Sequence, residues 1–544
     1  MSNYKHLIIS IIILISLIIS HRLSAQEHMH EEFPVGEDTP IGEVNFEANC
    51  SAEVQDDVNR ALGMLHHMMY ETSRSYFEAI SETDPNCAMA YWGVATTLFQ
   101  PLWGTRPSEE DIQQGWQTIN KAIDVAESER EKLLIQSTAG FFREPETADF
   151  QTRIRRWTEG MEDVYESYPD DLDIAAFYAL TRLTIAQFAE NSSPLLDEAE
   201  TILREVYEQE PTHPGAIHYT IHATDIDGRA ENALDIVEAY GEIAPDVPHA
   251  LHMPTHIYVR LGDWPNVIDW NLRSAEAALN HPVNGAESHH YLHAMDYLAY
   301  AYLQQGKDDM AEKVFKEVLN KEKHQASFVS AFHLSGIPAR LAVEQRDWER
   351  ATELEPRTPA YLPWDASPWP EGMTWYAKGL GAVHTGDLHS AKKSEQKLRE
   401  LRDRASESGS DNMANYIEIE RRVLEGWIAH EEGDADRAVE LMKSAADLEE
   451  TVEKHPVTPG ALQPPYEALG DLLLELDRPT EALNAYEASD DIWPGRMNTL
   501  LGAAVSARVI GEHQKARSHI AKLLQSSRIQ EISSNTEFIG EVDR

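Results

Sequence analysis

Half of the chain's 24 histidines fall between His213 and His333, and their phase against a recurring turn glycine is what gives them a chemical reading. Counting back from Gly262, His249, His252 and His256 stand thirteen, ten and six residues upstream. Those spacings of three and four put all three on one face of one helix. Counting back from Gly228 finds His218 at ten, His222 at six and Asp225 at three, and counting back from Gly306 finds His293 at thirteen and Asp296 at ten. His333 and Arg340 share the phase one unit later if Arg346 takes the turn position. Imidazoles at i and i+4 are the spacing by which one helix offers two ligands to one metal, and carboxylates complete such sites. His218/His222 and His252/His256 are two such pairs on adjacent helices, and helices packed ~10 Å apart can aim both pairs at one zinc or copper ion. The expected metal set is therefore His218, His222, Asp225, His249, His252 and His256. Asp225 serves as orienter or general base, and Tyr258 or Tyr300 as donors. A competing reading gives the same residues a hydrogen-bonded polar network, or a pocket for an organic ligand. Pro254 bears on the choice, because a helix starting there would take His249 and His252 out of a regular stripe.

Other chemical candidates carry less. His252-Met253-Pro254-Thr255-His256 lacks the glutamate of the zinc-protease helix motif. His66-His67 and His289-His290 are adjacent pairs, whose members face different ways on a helix. Gln26-Glu27-His28 would place a histidine third from a free amine after cleavage of a leader, a copper(II)-binding arrangement that cyclisation of the glutamine removes. Glu467 and Asp471 lie one helical turn apart and read as a solvated acidic face. The sequence holds no phosphate loop, no dinucleotide glycine motif, no nucleophile elbow and no serine or cysteine triad.

The elements that position these residues are repeated helix pairs. Alanine stands five residues after Gly228 (Ala233), Gly306 (Ala311), Gly386 (Ala391), Gly433 (Ala438) and Gly511 (Ala516), and Val267 stands there after Gly262. Each glycine lets the chain reverse between two antiparallel helices, and each small residue lets them approach closely. Turn spacings near 34 residues are those of stacked helical hairpins, whose cores are completed by their neighbours.

At this level the chain resembles tetratricopeptide repeats. Tyr297-Leu298-Ala299-Tyr300-Ala301-Tyr302 followed by Gly306, Ala311 and Phe315 reproduces the large, small and aromatic positions of that repeat in order. The helix-ending prolines of Asp84-Pro85, Glu210-Pro211 and Ala244-Pro245 separate successive units. Four further stretches resemble a family of secreted bacterial tetratricopeptide proteins: Asp84 to Gly93, His213 to His218, His252 to Tyr258, and Glu453 to Gly460. The resemblance implies an all-α solenoid, a right-handed superhelix of about eight to ten stacked antiparallel helix pairs. It also implies that His293, Asp296, Tyr258, Tyr300, His333 and Arg340 line a concave ligand groove beside the metal set. A binding or scaffold protein follows as the expected function, with a metal-dependent enzyme using the same histidines as the alternative.

Composition bounds compartment and partners. Lys5, the apolar run from Leu7 to Ile19 and Leu23-Ser24-Ala25 have the three regions of a secretory signal peptide, expected over residues 1–25 and cleaved after Ala25. The chain is thus expected to be exported to the periplasm, with an extracellular or signal-anchored form as alternative and no membrane span after signal removal. Residues 26–45 read as an acidic, histidine-bearing disordered leader, 46–525 as the solenoid with a Pro/Trp-rich insertion near 356–370, and 526–544 as a polar tail. With 93 acidic against 46 basic residues the net charge is −47, which repels nucleic acid and favours proteins, peptides or small neutral or cationic ligands. The only cysteines, Cys50 and Cys87, form the expected disulfide of an oxidising compartment.

Overall fold

The computed structural model describes residues 39–102, 106–189, 191–226 and 228–526. The expected signal peptide, most of the leader, the tail beyond residue 526 and Trp103 to Thr105 lie outside the described residues. Within them the chain is all helical, with isolated bridges at Val283/Ala286 and Glu287/His324 in place of strands. Successive helices pair off into twelve hairpins among the described residues, more than the eight to ten expected. Glycine marks only some of these turns because the turn does not require it. Met68, Arg346 and Asp477 take the same left-handed backbone (φ 56°, 55° and 55°) as Gly262 and Gly306 (φ 65°). Small residues again stand five positions on, at Ser73, Ala351 and Ala482, and all three are fully buried.

The turn is a double hydrogen-bond clasp. At Gly262 the glycine N–H donates to the Val259 carbonyl at 3.1 Å and the Asp263 N–H to the Tyr258 carbonyl at 2.9 Å, and the same pair of bonds recurs at Gly306, Arg346, Gly386, Gly433 and Asp477. This caps the last carbonyls of the first helix. The residue after the turn then opens the next helix: the carboxylates of Asp263, Asp347, Asp387 and Asp434 accept from backbone N–H groups three residues on. Each such cap is worth about 1 kcal/mol.

The helices that carry the functional residues are α1 (Gln55–His66), α2 (Leu172–Ala186), α3 (Pro214–Thr224), α4 (Pro248–His252), α5 (Pro254–Arg260), α6 (His289–Gln304), α7 (Phe328–Glu344), α8 (Pro368–His384) and α9 (Asp411–Glu431). In α3 the proline occupies the first turn and His213 caps it, its Nδ1 accepting from the Ala216 N–H at 3.2 Å. Ala216, Tyr219 and Ala223 pack into one apolar cluster, Ile217 and Ile221 into another, and His218 and His222 ride the strip between. The expected break at Pro254 is present. It divides one leading helix into α4 and α5 at Met253.

The array closes on itself. The segment from Glu453 to Gly460, between the helices Ala435–Glu449 and Pro465–Glu475, reaches back into the middle of the chain. Lys454 Nζ lies 3.2 Å from Asp225, Tyr297 donates to the Pro456 carbonyl at 2.8 Å, and Arg340 donates to the Gly460 carbonyl at 2.7 Å. A Cβ on Gly460 would stand 2.5 Å from the Tyr300 hydroxyl, so only glycine passes there. Further on, Trp264 Nε1 donates to the Gly495 carbonyl at 2.8 Å. The expected open concave groove is thus covered, because this segment fills it. Cys50 and Cys87 form a disulfide with Cα atoms 4.6 Å apart, tying the start of the first hairpin to that of the second. In the Pro/Trp-rich stretch Trp364 and Trp369 are both buried; Trp364 bonds its own loop at Pro359, and Trp369 stacks among Phe332 and Tyr416. No helix among the described residues is long and apolar enough to cross a membrane.

Candidate metal centre

Two groups of three histidines lie side by side in the core, each with ligand nitrogens within 4.8 Å of one another: His252, His256 and His293, and His218, His222 and His249. The sequence placed both i, i+4 pairs on a single ion. The kink at Pro254 instead turns His249 toward the α3 pair, while His252 and His256 face α6 and are completed by His293.

Hydrogen bonding assigns the protons in the first group. Asn271 donates its amide to the Val267 carbonyl at 2.7 Å, so its oxygen faces His252 Nδ1 at 2.8 Å and accepts from it. His256 Nδ1 donates to Asp225 at 2.9 Å. His333 Nδ1 donates to Asp296 at 2.9 Å, so its Nε2 accepts from His293 Nδ1, also at 2.9 Å. Each of the three neutral rings is left with its lone pair on Nε2. His252 Nε2 and His256 Nε2 stand 3.2 Å apart, two acceptors face to face. A buried acceptor without a partner costs about 1–3 kcal/mol, and a facing pair calls for an explanation.

The second group repeats the pattern. His218 Nδ1 donates to the His66 carbonyl at 2.7 Å, which leaves the lone pair on Nε2. His218 Nε2 and His222 Nε2 are buried without a hydrogen-bond partner. Burial is the largest cause that holds His218, His249, His252 and His293 well below the ordinary imidazole value and pushes His222 down to about 3. It also lowers His256, against the opposing pull of Asp225. All six rings are neutral at pH 7, the state in which imidazole binds metal.

A third cluster, His66, Asp173 and His213, is built around a carboxylate. His66 Nε2 donates to Asp173 of α2 at 2.9 Å and its Nδ1 faces the Tyr219 hydroxyl at 3.2 Å. His213, its Nδ1 used as a helix cap, turns Nε2–H toward the same carboxylate at 3.3 Å. Both His66 nitrogens have partners there, and a carboxylate stands between the two rings, whereas His213 Nε2 makes no aligned hydrogen bond.

Charge is arranged outside the six rings. Asp225 accepts from His256, from Arg260 at 2.9 Å and from Lys454 at 3.2 Å. Burial raises its pKa, but the two cations and His256 outweigh it and hold it well below the carboxylate range. Asp296 is matched by Arg340 at 2.9 Å, and Gly336 leaves room for it, since a Cβ there would meet its Oδ2 at 3.3 Å. A small cavity with room for about one water lies between the groups, lined by His222 and His249 of one and His256 and His293 of the other, with Leu102 and His455. His455 also borders an open cleft of about 200 Å³ with Arg260, Trp369, Tyr416, Glu420 and Trp493. Burial pushes Glu420 up to about 8.

The expected residues thus separate. His218, His222, His249, His252, His256 and His293 form the two groups. Asp225, Asp296, His333 and Arg340 form their outer supports. Tyr300 sits just beyond, its hydroxyl accepting from Arg496 at 2.8 Å. Tyr258 instead joins the apolar core of its hairpin, because the phase that it holds, four residues before the turn, is a packing position. Sequence reasoning missed Arg260, Asn271, Tyr297, Asp173, Lys454 and His455. Arg260 was within reach, four residues after His256 on the same face, whereas Lys454 and His455 arrive from a segment 229 residues away from Asp225.

Residues 293–323, the hairpin that carries His293 and Asp296, match the family model of the tetratricopeptide repeat. The repeated turn geometry carries that hairpin form along the array, and the fold is an all-α tetratricopeptide-repeat solenoid. Among solved structures the chain is similar to the crystal structure of the APC/C hetero-tetramer Cut9-Hcn1, at 10% identity with a TM-score of 0.29, over 88% of this chain and 95% of that one. No curated protein matches.

Proposed function

We propose that this chain is an exported metal-binding repeat protein that holds a zinc or copper ion on His252, His256 and His293. The observation that carries the reading is the 3.2 Å approach of two Nε2 lone pairs whose protons Asn271 and Asp225 already hold on the far side of each ring. Two imidazole nitrogens bonded to one ion at about 2.1 Å with a tetrahedral angle stand about 3.4 Å apart. The donor set is all nitrogen, which suits zinc, copper, nickel or iron rather than calcium or magnesium. Asp225 and the Asp296–His333 pair orient ligand rings from behind, the arrangement that fixes tautomers in metal sites. Export is supported by the N-terminal apolar run and by the cysteine pair. The repeat architecture supports a scaffold or protein-binding role for the outer surface.

A second reading, a metal-dependent enzyme, is favoured by one observation: three protein ligands leave a coordination position open, and the acidic, aromatic-lined cleft shares His455 with the cavity at the histidines. Such a cleft fits a small neutral or cationic organic molecule.

The test is the metal content of the intact purified protein by elemental analysis, before and after dialysis against a chelator and re-addition of zinc or copper(II). At least one tightly held ion per chain is expected, with loss of binding at this position in His252→Ala and His256→Ala while helical circular dichroism is kept. A chain that takes up neither ion overturns the reading, and unchanged binding in both variants moves it away from these residues.

A further inference from the structure

We infer that His218, His222 and His249 hold a second transition-metal ion, and that the two ions form one two-metal centre bridged by a water-derived hydroxide in the cavity between them. The inference rests on the reading above for the first ion, and it stands on separate residues. The ligand nitrogens of this second group lie within 4.8 Å of one another. The His66 carbonyl can only accept, so it fixes the His218 proton on Nδ1 and leaves Nε2 bare toward the group. His218 Nε2 and His222 Nε2 lack hydrogen-bond partners in the folded chain. In the Asp173 cluster a carboxylate lies between His66 and His213 and both His66 nitrogens have partners, whereas no carboxylate stands among His218, His222 and His249.

The groups are contiguous. The rings of His222 and His256 have centroids 6.0 Å apart, and those of His249 and His252 6.2 Å. The cavity is lined by two ligands from each group and has room for about one water. Charge also calls for an anionic bridge. The six ligands are neutral, and Asp225 and Asp296 are already matched by Arg260, Lys454 and Arg340, so two cations here need a negative group of their own. A hydroxide shared by both ions supplies it, since a metal-bound water loses its proton near neutral pH and two-metal sites hold their ions about 3.5–4 Å apart.

The chelator-treated full chain is titrated with zinc and, separately, with copper(II), and bound metal is counted by elemental analysis. Two ions per chain are expected, falling to one in His218→Ala and in His249→Gln. Copper(II)-loaded protein should give far less paramagnetic resonance intensity than its copper content, because ions sharing a hydroxide couple magnetically. One ion per wild-type chain, retained in His218→Ala and His249→Gln, overturns the second site and leaves the first standing. No bound ion overturns both. Two ions with full resonance intensity overturn the shared bridge. The wild-type stoichiometry and resonance decide the matter even where a variant fails to fold.

Discussion

The hairpins led by α3 to α7 and those led by α8 and α9 are built on one plan and spend it differently. Thirteen, ten and six residues before the turn, the first set carries His249, His252 and His256, or His293, Asp296 and Tyr300. At the same positions α8 carries Met373, Tyr376 and Leu380, all buried. The turns are alike, with φ of 65° at Gly262 and 83° at Gly386, and so are the tight contacts five residues on, where Val267 and Ala391 are both fully buried. The inner face of a hairpin is therefore independent of what makes it a hairpin. In the central units that face is polar and charge-matched. In α8 it is apolar, while α9 places its ion pairs on its outer side, where Glu418 bonds Arg402, Arg421 and Arg422.

The contrast is broken most severely at Asp225. Asp225→Ala removes the buried carboxylate shared by His256, Arg260 and Lys454, and a cost of about 3–5 kcal/mol is expected in urea unfolding, together with lost metal. A loss below about 1 kcal/mol would show that these cations find other partners. Next comes the position ten residues before the turn. Tyr376→Ala empties a fully buried aromatic site and should cost about 3 kcal/mol or more. His252→Ala at the equivalent position of the metal-free protein should cost less than about 2 kcal/mol, because it also removes one of two opposed lone pairs. Equal losses would mean that the histidine face is ordinary core. Tyr376→Phe sharpens this further. The Tyr376 hydroxyl is buried without a partner, so its removal should be neutral or stabilising by up to about 1 kcal/mol.

A pH titration separates the two regions again. Burial raises Glu418, but its bonds from Arg421, Arg422 and Arg402 outweigh that and bring its carboxyl from 4.5 down to about 2. The stability that it contributes is fully present above pH 4.5 and fades as the pH falls toward 2. Glu418 is partly exposed and its partners are screened by solvent, so about 1 kcal/mol is expected, and Glu418→Gln should flatten the acid limb of the stability profile by that amount. The smallest effect is local. Gly386→Ala meets no atom within 4 Å, so only its left-handed backbone resists, and a loss of about 1 kcal/mol should appear in thermal unfolding with metal content untouched.

Much of this plan was legible. Glycine phase located six turns, and the same phase read through Arg346 as a seventh, because the left-handed turn residue and the small residue five on are local requirements written into neighbouring positions. Phase also selected five of the six clustered histidines, and placed His293 beside them as a groove residue. Division into two groups was not legible, since it depends on how far α4 turns away from α5 at Pro254, an angle set by packing rather than by spacing. Nor was the cover over the groove. The segment Glu453 to Gly460 was visible as a motif, but what it touches is settled by the curvature of the whole array.

That cover changes how the molecule should come apart. A solenoid held only by contacts between neighbours can fray from either end, one unit at a time. Here Trp264 reaches Gly495, 231 residues on, and Arg340 reaches Gly460, 120 residues on, so the last hairpins cannot peel away without uncovering the histidines. Amide exchange at Tyr297 and at His455 should therefore slow together, as one cooperative unit joined across the sequence, and the ends of the chain act as a lock on its middle.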